Sequence, residues 1–261
     1  MDLLLFEKIG AIASIKLNSP KSLNAINEDM AFQFKDCLEN CGQDPAIRVV
    51  TIQGVGRAFM AGGDLKLFYE NLEDIENVAG GLIENYHECI LLMTGIDKPI
   101  VTGVHGAVAG GGIGMALAGD YIIAADTTQF TMAYTGIGTS PDGGSTYLLP
   151  RLIGRRAALE MALLNKPMDA TRALNLGMVN DVVAESALEE AVQDVAKKLA
   201  TGAAKALGNA KRLVNGSLES ASLAAHLAWE KELFLTCAKT GDFEEGLQAF
   251  FEKRPPNFGD K

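Results

Sequence analysis

The sequence predicts an α/β fold completed by a helical C-terminal region. Short β-branched runs, clearest at residues 49–53 and 121–125, alternate with segments of helical periodicity. From residue 155 onward the pattern is helical almost throughout. Alternating strands and helices followed by helices alone indicate an α/β core with a helical extension. We therefore predict a core over residues 1–198 and a helical oligomerisation region over residues 199–261, because its apolar faces need a partner.

Turn and cap residues place the elements of the first third of the chain. Residues 3–7 and 11–17 predict two strands joined at Gly10. Asn27 is suited to cap a helix of about 15 residues, since its side chain can accept a hydrogen bond from a free amide of the first turn. After the strand at residues 49–53, a glycine loop leads into helices predicted over residues 68–96.

The remainder is predicted to be mainly helical after one irregular loop. Residues 132–145 are dense in Gly, Thr, Ser and Pro and contain a single acid, Asp142. The helices that follow are predicted over residues 155–164, 169–175, 187–200, 203–217, 219–239 and 242–252.

Residues 101–120 combine a buried strand, a tight turn and a small-residue helix. Gly110, Gly111 and Gly112 stand together where that helix begins. Such glycines are entropically costly and are kept where something must approach the backbone. A ligand oxygen bound by free amides at the helix start is one explanation, and close packing of the helix against a strand is the other. No P-loop or convincing dinucleotide-binding pattern accompanies them.

Composition excludes several functional classes. The 261 residues are 48% apolar and carry a net charge of −10, with no basic stripe for nucleic acid. Four cysteines lack metal-binding spacing and suit neither disulfides nor zinc: Cys37, Cys41, Cys89 and Cys237. An apolar span of 18 residues and a basic leader are both absent, so we expect a soluble, cytoplasmic protein with no membrane contact and no metal.

Several motifs in order resemble the crotonase family, the enoyl-CoA hydratases and isomerases. They are residues 19–25, the loop 59–65, the glycine turn 103–114, the helix end 173–179 and the ending 250–258. The resemblance implies a spiral of ββα turns with a C-terminal helical trimerisation region. It also implies a homotrimer or dimer of trimers that acts on an acyl-CoA thioester, with coenzyme A as part of the substrate and no other cofactor.

In the family, two backbone amides bind the thioester carbonyl oxygen, and these positions correspond to Gly63 and Gly111. Removing a proton beside the carbonyl places negative charge on that oxygen. Preorganised donors in a dry site stabilise the enolate, and losing one typically costs about 2.7–4 kcal/mol of barrier. Because the backbone supplies the donors, glycine serves to keep the site open.

The position of acids in the loops distinguishes the reactions of the family. The two glutamates of its hydratases correspond to Gly114 and Tyr134, so the apparatus for adding water is missing. Asp142 instead matches the aspartate of the single-aspartate enoyl-CoA isomerases. One carboxylate suffices to move a proton between C2 and C4. Alternatively, Asp142 is a turn residue, since Pro-Asp-Gly is a common turn sequence.

Other functions remain open at this stage. His87 and Asp142 also correspond to the histidine base and aspartate nucleophile of 4-chlorobenzoyl-CoA dehalogenase, although Tyr134 replaces the tryptophan of that enzyme. Packing is the alternative role for His87. A hydratase, or a family member that binds acyl-CoA without turnover, is also possible in principle. His105 is expected to support the turn, and His226 to pack in the tail.

The resemblance further implies the residues that bind the rest of the substrate. The backbone at Ala61, Gly62 and Asp64 would hold the adenine, and lysines would neutralise the phosphates unless they are merely solvated. The last helix would contribute from a neighbouring subunit. The implied set is Lys21, Leu23, Ala61, Gly62, Asp64, Leu65, Lys66, Tyr134, Phe250 and Lys253.

Overall fold

The structure is a computed structural model that describes residues 2–217 and 219–259. In chain order its strands are β1 (Leu4–Ile9), β2 (Ile12–Leu17), β3 (Val49–Gly54), β4 (Ala58–Met60), β5 (Ile100–Val104), β6 (Ala107–Ala109), β7 (Tyr121–Ala125), β8 (Gln129–Thr131), β9 (Met168–Asp169) and β10 (Asp181–Val183). Its α-helices are α1 (Glu28–Gln43), α2 (Leu65–Glu70), α3 (Ile75–Gly95), α4 (Gly111–Leu117), α5 (Ser145–Leu164), α6 (Ala170–Asn175), α7 (Leu188–Ala200), α8 (Ala204–Gly216), α9 (Leu223–Cys237) and α10 (Gly241–Glu252).

The strands form two sheets, and the chain visits both in each turn of a spiral. The first sheet has the order β1-β2-β3-β5-β7-β10 and is parallel apart from the antiparallel edge strand β1. The second has the order β4-β6-β8-β9. Thus β3 leads to β4, β5 to β6 and β7 to β8, and helices follow each pair. This arrangement is the predicted ββα spiral.

The main core lies between the sheets and the helices that cover them. Its largest fully buried side chains include Phe34, Phe59 and Phe130. A second apolar cluster lies under α7, where Val192 packs with Val49 of β3. Near-continuous burial along β3 and β5 reflects a parallel sheet covered on both faces.

The predicted helix boundaries are confirmed for α1 and wrong for α5. The Asn27 side chain caps α1 as predicted, accepting a hydrogen bond from the Met30 amide. By contrast, α5 begins at Ser145, whereas the sequence predicted a helix from residue 155. Gly154 interrupts it with φ 76° and ψ 157°, and Pro150 lies inside it. Both residues obscured the helical pattern of the first half.

The helical tail is attached to the core through α7 and α8. Because α7 continues to Ala200 and packs on the first sheet, the predicted boundary at residue 198 falls in its last turn. In α8 the Lys211 side chain is only 4% exposed and lies 2.8 Å from the Asp120 carboxylate. Its ammonium also donates to the carbonyls of Met93 (2.7 Å) and Lys98 (3.2 Å).

Burial opposes the charged form of both members of this pair, and their mutual attraction opposes burial. Burial lowers the pKa of Lys211 and raises the pKa of Asp120, while the opposite charge of each partner acts the other way. Asp120 additionally accepts a hydrogen bond of 2.8 Å from the Ile100 amide. The pair therefore fixes α8 to the beginning of β5.

None of the helices in the described ranges is both long enough and apolar enough to cross a bilayer.

Replacing Lys211 with methionine should lower the free energy of unfolding by about 3–5 kcal/mol, because Asp120 would remain buried without its partner. The measurement is urea denaturation followed by circular dichroism. Lys197→Met is the matched control, since its ion pair with Asp194 is exposed and is expected to contribute about 0–1 kcal/mol. Equal effects of the two substitutions would contradict the structural role assigned to the buried pair.

Candidate active site

The first glycine loop follows β4 and is held by backbone hydrogen bonds to the segment before α1. The Ile26 amide donates to the Gly62 carbonyl (2.8 Å), and the Asp64 amide donates to the Ile26 carbonyl (3.0 Å). The Ala61 amide donates to the Leu23 carbonyl (3.0 Å). Between them, the Gly63 amide makes no hydrogen bond within the part of the chain that the structure describes. One donor of this loop is therefore left for a ligand.

Asn24 fixes the same loop through its buried side chain. Its amide group donates to the carbonyls of Val55 (3.0 Å), Ala58 (2.9 Å) and Phe59 (3.1 Å), and its side-chain oxygen accepts from the Ser19 amide (2.8 Å). Asn24 has φ 56°, a left-handed conformation that asparagine tolerates better than most residues. The resemblance motif at residues 19–25 contained this residue, but the sequence gave no reason to assign it a role.

The second glycine loop lies directly beside the first. The Gly110 amide donates to the Thr131 carbonyl (3.1 Å), and α4 begins at the next residue, Gly111. As the first residue of a helix, Gly111 has no intrahelical partner for its amide. Gly62 has φ 103°, and a Cβ on it would lie 3.5 Å from the Gly111 nitrogen. The Gly63 and Gly111 amides thus belong to two loops in direct contact.

Close packing explains the other glycines of α4. A Cβ at Gly112 would lie 2.3 Å from the Met60 carbonyl oxygen, and one at Gly114 would lie 2.0 Å from the Gly143 carbonyl oxygen. Both contacts are with backbone, so neither position accepts a side chain without movement of a neighbouring loop. The close-packing alternative therefore holds for Gly112 and Gly114, while the ligand explanation is left to Gly111.

Asp142 joins this site through both its backbone and its carboxylate. Its carbonyl accepts from the Ser145 hydroxyl (2.8 Å) and amide (3.2 Å), which makes the turn into α5. Its Oδ1 accepts a hydrogen bond of 2.5 Å from the Tyr134 hydroxyl. Burial raises the pKa of Tyr134, and the charge of Asp142 and their hydrogen bond raise it further. Tyr134 therefore stays protonated and acts as the donor.

Tyr86 of α3 is a site residue that sequence reasoning missed. Its hydroxyl donates to the Gly111 carbonyl and lies next to the Met115 amide. A Cβ at Gly143 would lie 2.4 Å from its ring, so Tyr86 separates α4 from the loop that contains Asp142. Burial, followed by the charges of Tyr134 and Asp142, raises the pKa of Tyr86. The available signal was the apolar stripe of α3, in which Tyr86 follows Leu82 by one turn.

His87, the neighbour of Tyr86, also reaches the Asp142 loop. The Gly143 amide donates to its Nε2 at 3.3 Å, which assigns the ring proton to Nδ1. The imidazole is otherwise exposed. Two successive residues of α3 therefore contact the segment that immediately follows Asp142.

The residues predicted to bind the rest of the substrate lie mostly at the surface around the first loop. The Asp64 carboxylate caps α2, accepting from the amides of Lys66 (3.0 Å) and Leu67 (3.1 Å). Leu65 is exposed, and the Lys66 ammonium, on a side chain that is 80% exposed, lies 3.6 Å from Glu70. These side chains lie at the edge of the site, and their contacts with substrate stay predictions.

The predicted contributors from the other elements are also exposed. Lys21 lies in a short 3-10 helix, Pro20–Ser22. Phe250 of α10 is 76% exposed and makes an edge-on contact with Phe251. Lys253 ends the helix in a left-handed conformation. For Phe250 and Lys253 the predicted role requires a neighbouring subunit.

The remaining histidines have the structural surroundings that the sequence predicted. His105 is buried, and its Nε2 lies 2.8 Å from the Gly56 carbonyl oxygen, which supports the turn before β4. His226 packs edge-on against Trp229, with ring centroids 5.8 Å apart. Across the described ranges, no three or more His, Cys, Asp or Glu side chains come together as metal ligands would.

Comparison with known proteins agrees with this geometry. A family model described as enoyl-CoA hydratase/isomerase matches residues 7–261. The chain belongs to the enoyl-CoA hydratase/isomerase family. Over their full lengths, it is 34% identical to the 1,2-epoxyphenylacetyl-CoA isomerase of Escherichia coli. It is also 31% identical to the crotonyl-CoA hydratase of Syntrophomonas wolfei, over 98% of this chain and 97% of that protein.

The crotonase fold of this family is confirmed by solved structures. The enoyl-CoA hydratase from Polaromonas sp. JS666 matches with a TM-score of 0.94 and 31% identity, over 98% of this chain and 99% of that chain. Because the relatives include both an isomerase and hydratases, family membership leaves the reaction of this enoyl-CoA hydratase/isomerase open.

Gly114→Ala should destabilise the protein by about 1–3 kcal/mol, because the added methyl group would overlap the Gly143 carbonyl. The measurement is the melting temperature by differential scanning calorimetry. Gly80→Ala within α3 is the matched control, since its Cβ would meet nothing within 4 Å. It should stabilise the helix by roughly 0.5–1 kcal/mol. If Gly114→Ala were as stable as the control, the described contact between α4 and the Asp142 loop would be wrong.

Proposed function

We propose that this family member is an enoyl-CoA isomerase that shifts a double bond by moving one proton. The observation that carries the proposal is the carboxylate of Asp142, held by Tyr134 at the loop packed on α4. The two positions at which the family's hydratases have glutamates are Gly114 and Tyr134 here. At position 114 the Gly143 carbonyl occupies the space that any side chain would need.

The proposed reaction uses the two free amides and this one acid. The thioester oxygen of a 3-enoyl-CoA accepts hydrogen bonds from Gly63 and Gly111. Asp142 removes a proton from C2, and the electron pair delocalises into a dienolate whose charge the two amides stabilise. Asp142 then returns the proton to C4, which gives the conjugated 2-enoyl-CoA. No water is consumed, so a second carboxylate to activate it is unnecessary.

The proposal extends to substrate binding and assembly. On a chain with net charge −10, Lys21 and Lys66 are exposed cations near the first loop that can neutralise CoA phosphates. A homotrimer or dimer of trimers is supported by large apolar side chains exposed on α9 and α10, namely Leu223, Leu227, Phe234, Leu235, Leu247, Phe250 and Phe251. In such an assembly Phe250 and Lys253 would reach a neighbour's substrate. We place this function in the cytoplasm.

Wild-type protein should convert a 3-enoyl-CoA into the conjugated 2-enoyl-CoA, which is followed by ultraviolet absorbance. Asp142→Asn should slow this conversion by about 10²–10⁴-fold, the usual contribution of a general acid or base. Asp29→Asn, at an exposed position in the first turn of α1, is the matched control and should retain wild-type activity.

Two results would overturn this assignment. One is equal rates for wild type and Asp142→Asn, which would remove Asp142 from the mechanism. The other is faster hydration of crotonyl-CoA than isomerisation, which would make the chain a hydratase despite Gly114. Acyl-CoA binding without turnover of either substrate would indicate a family member that only binds.

Dehalogenation is the second candidate, and the contact of His87 with the Asp142 loop favours it. In that reaction Asp142 would attack the aromatic ring of 4-chlorobenzoyl-CoA, chloride would leave, and water activated by His87 would release the product. We rank it second because His87 Nε2 already accepts the Gly143 amide. A general base at that nitrogen would first have to lose this hydrogen bond.

His87→Gln should reduce isomerisation less than Asp142→Asn does, by about tenfold or less, since the imidazole holds a loop and transfers no proton in the proposed mechanism. Both variants are compared in the same absorbance assay, and 4-chlorobenzoyl-CoA is tested separately with a chloride electrode. Chloride release by wild type that is lost in His87→Gln would replace the isomerase assignment with the dehalogenase.

A further inference from the structure

We propose that Tyr134 is a positioning residue that occupies Oδ1 of Asp142, so that Oδ2 alone moves the proton between the two carbons. The inference rests on the proposed isomerase function. It goes beyond that function because it gives the two oxygens of one carboxylate different roles. Sequence reasoning had treated Tyr134 only as a substrate-binding residue in the position of a missing glutamate.

The contacts of the carboxylate are unequal. Oδ1 accepts the 2.5 Å hydrogen bond from the Tyr134 hydroxyl. Oδ2 accepts no hydrogen bond from any residue in the ranges that the structure covers. One oxygen is therefore occupied by a donor, while the other is free to take a proton from a substrate.

Both partners of this hydrogen bond are fixed by their backbones. Tyr134 follows Ala133, which has φ 63°, and its amide and carbonyl are bonded to Met132 (2.8 Å) and Thr139 (3.2 Å). Its ring is buried and lies 4.0 Å from the position that a Cβ of Gly110 would occupy. Asp142 is held at its carbonyl by Ser145. Rotation of the carboxylate therefore requires breaking a hydrogen bond between two anchored groups.

This restriction has a chemical consequence during turnover. When the C2–H bond breaks, its electron pair enters the dienolate and the proton binds Oδ2. The same O–H bond then breaks as the C4–H bond forms, so the carboxylate is regenerated and no co-reactant is needed. The Tyr134 proton takes no part, because burial and the adjacent charge raise its pKa. A carboxyl group that cannot rotate retains the original hydrogen, whereas a free one exposes it to solvent exchange.

The test follows the fate of deuterium. A 3-enoyl-CoA labelled with deuterium at C2 is converted in ordinary water, with enzyme in excess so that slow variants still give product. Mass spectrometry then measures the fraction of deuterium transferred to C4. We expect substantial transfer in wild type and at least a twofold lower fraction in Tyr134→Phe. The rate constant should fall by about tenfold to a hundredfold with little change in substrate affinity, on the scale of one hydrogen bond to a charged group.

Tyr147→Phe is the matched control, because that exposed tyrosine also donates to a carboxylate, Glu219, at 2.8 Å on the surface of α5. It should match wild type in rate and in transfer. The transferred fraction is counted per product molecule, so it does not change if part of a variant sample is unfolded.

Several outcomes would overturn the proposal. In Tyr134→Phe, these are an unchanged fraction of transferred deuterium, even with a lower rate, or complete loss of product from a folded variant. Wild type that transfers no deuterium would overturn it without any variant. Wild type that fails to isomerise the substrate overturns the proposed function, and this inference with it.

Discussion

The site depends on loops whose backbones lie directly against one another, with only hydrogen atoms between them. Gly62 faces the Gly110–Gly111 segment, and Gly114 faces the Gly143 carbonyl. The first contact brings together the loops that carry two free amides, and the second brings the Asp142 loop onto α4. Any side chain at these positions would separate the groups that the proposed chemistry needs together. Glycine is required here by distance, and at Gly62 also by a φ of 103°.

Hydroxyl groups occupy the space next to these backbone contacts. Tyr86 bonds to the Gly111 carbonyl and packs against Gly143, while Tyr134 bonds to Asp142. Burial raises the pKa of both tyrosines, so each acts as a neutral donor. The result is a site with two protonated phenols around one acid. Such a site is suited to moving a proton within a substrate, and less suited to activating water.

The rest of the fold keeps these loops in place. Asn24 bonds to three carbonyls of the segment that precedes the first glycine loop. The Lys211–Asp120 pair fixes the helical tail to the sheet whose strand β5 leads toward the second loop. Both are buried polar groups with specific partners, and such groups favour one arrangement of the chain over others because any alternative would leave them unsatisfied.

The sequence by itself determined the α/β class, the Asn27 cap, the two glycine loops, the missing glutamates and Asp142, because each depends on local pattern or on motifs read in order. Tertiary structure alone decided that Gly112 and Gly114 serve packing, that α5 starts at Ser145, and that Tyr86 belongs to the site. Tyr86 is separated from Gly111 by 25 residues along the chain, and Asn24 from Phe59 by 35. Contacts at such separations leave no local pattern, because they arise only when the spiral brings successive turns of the chain together.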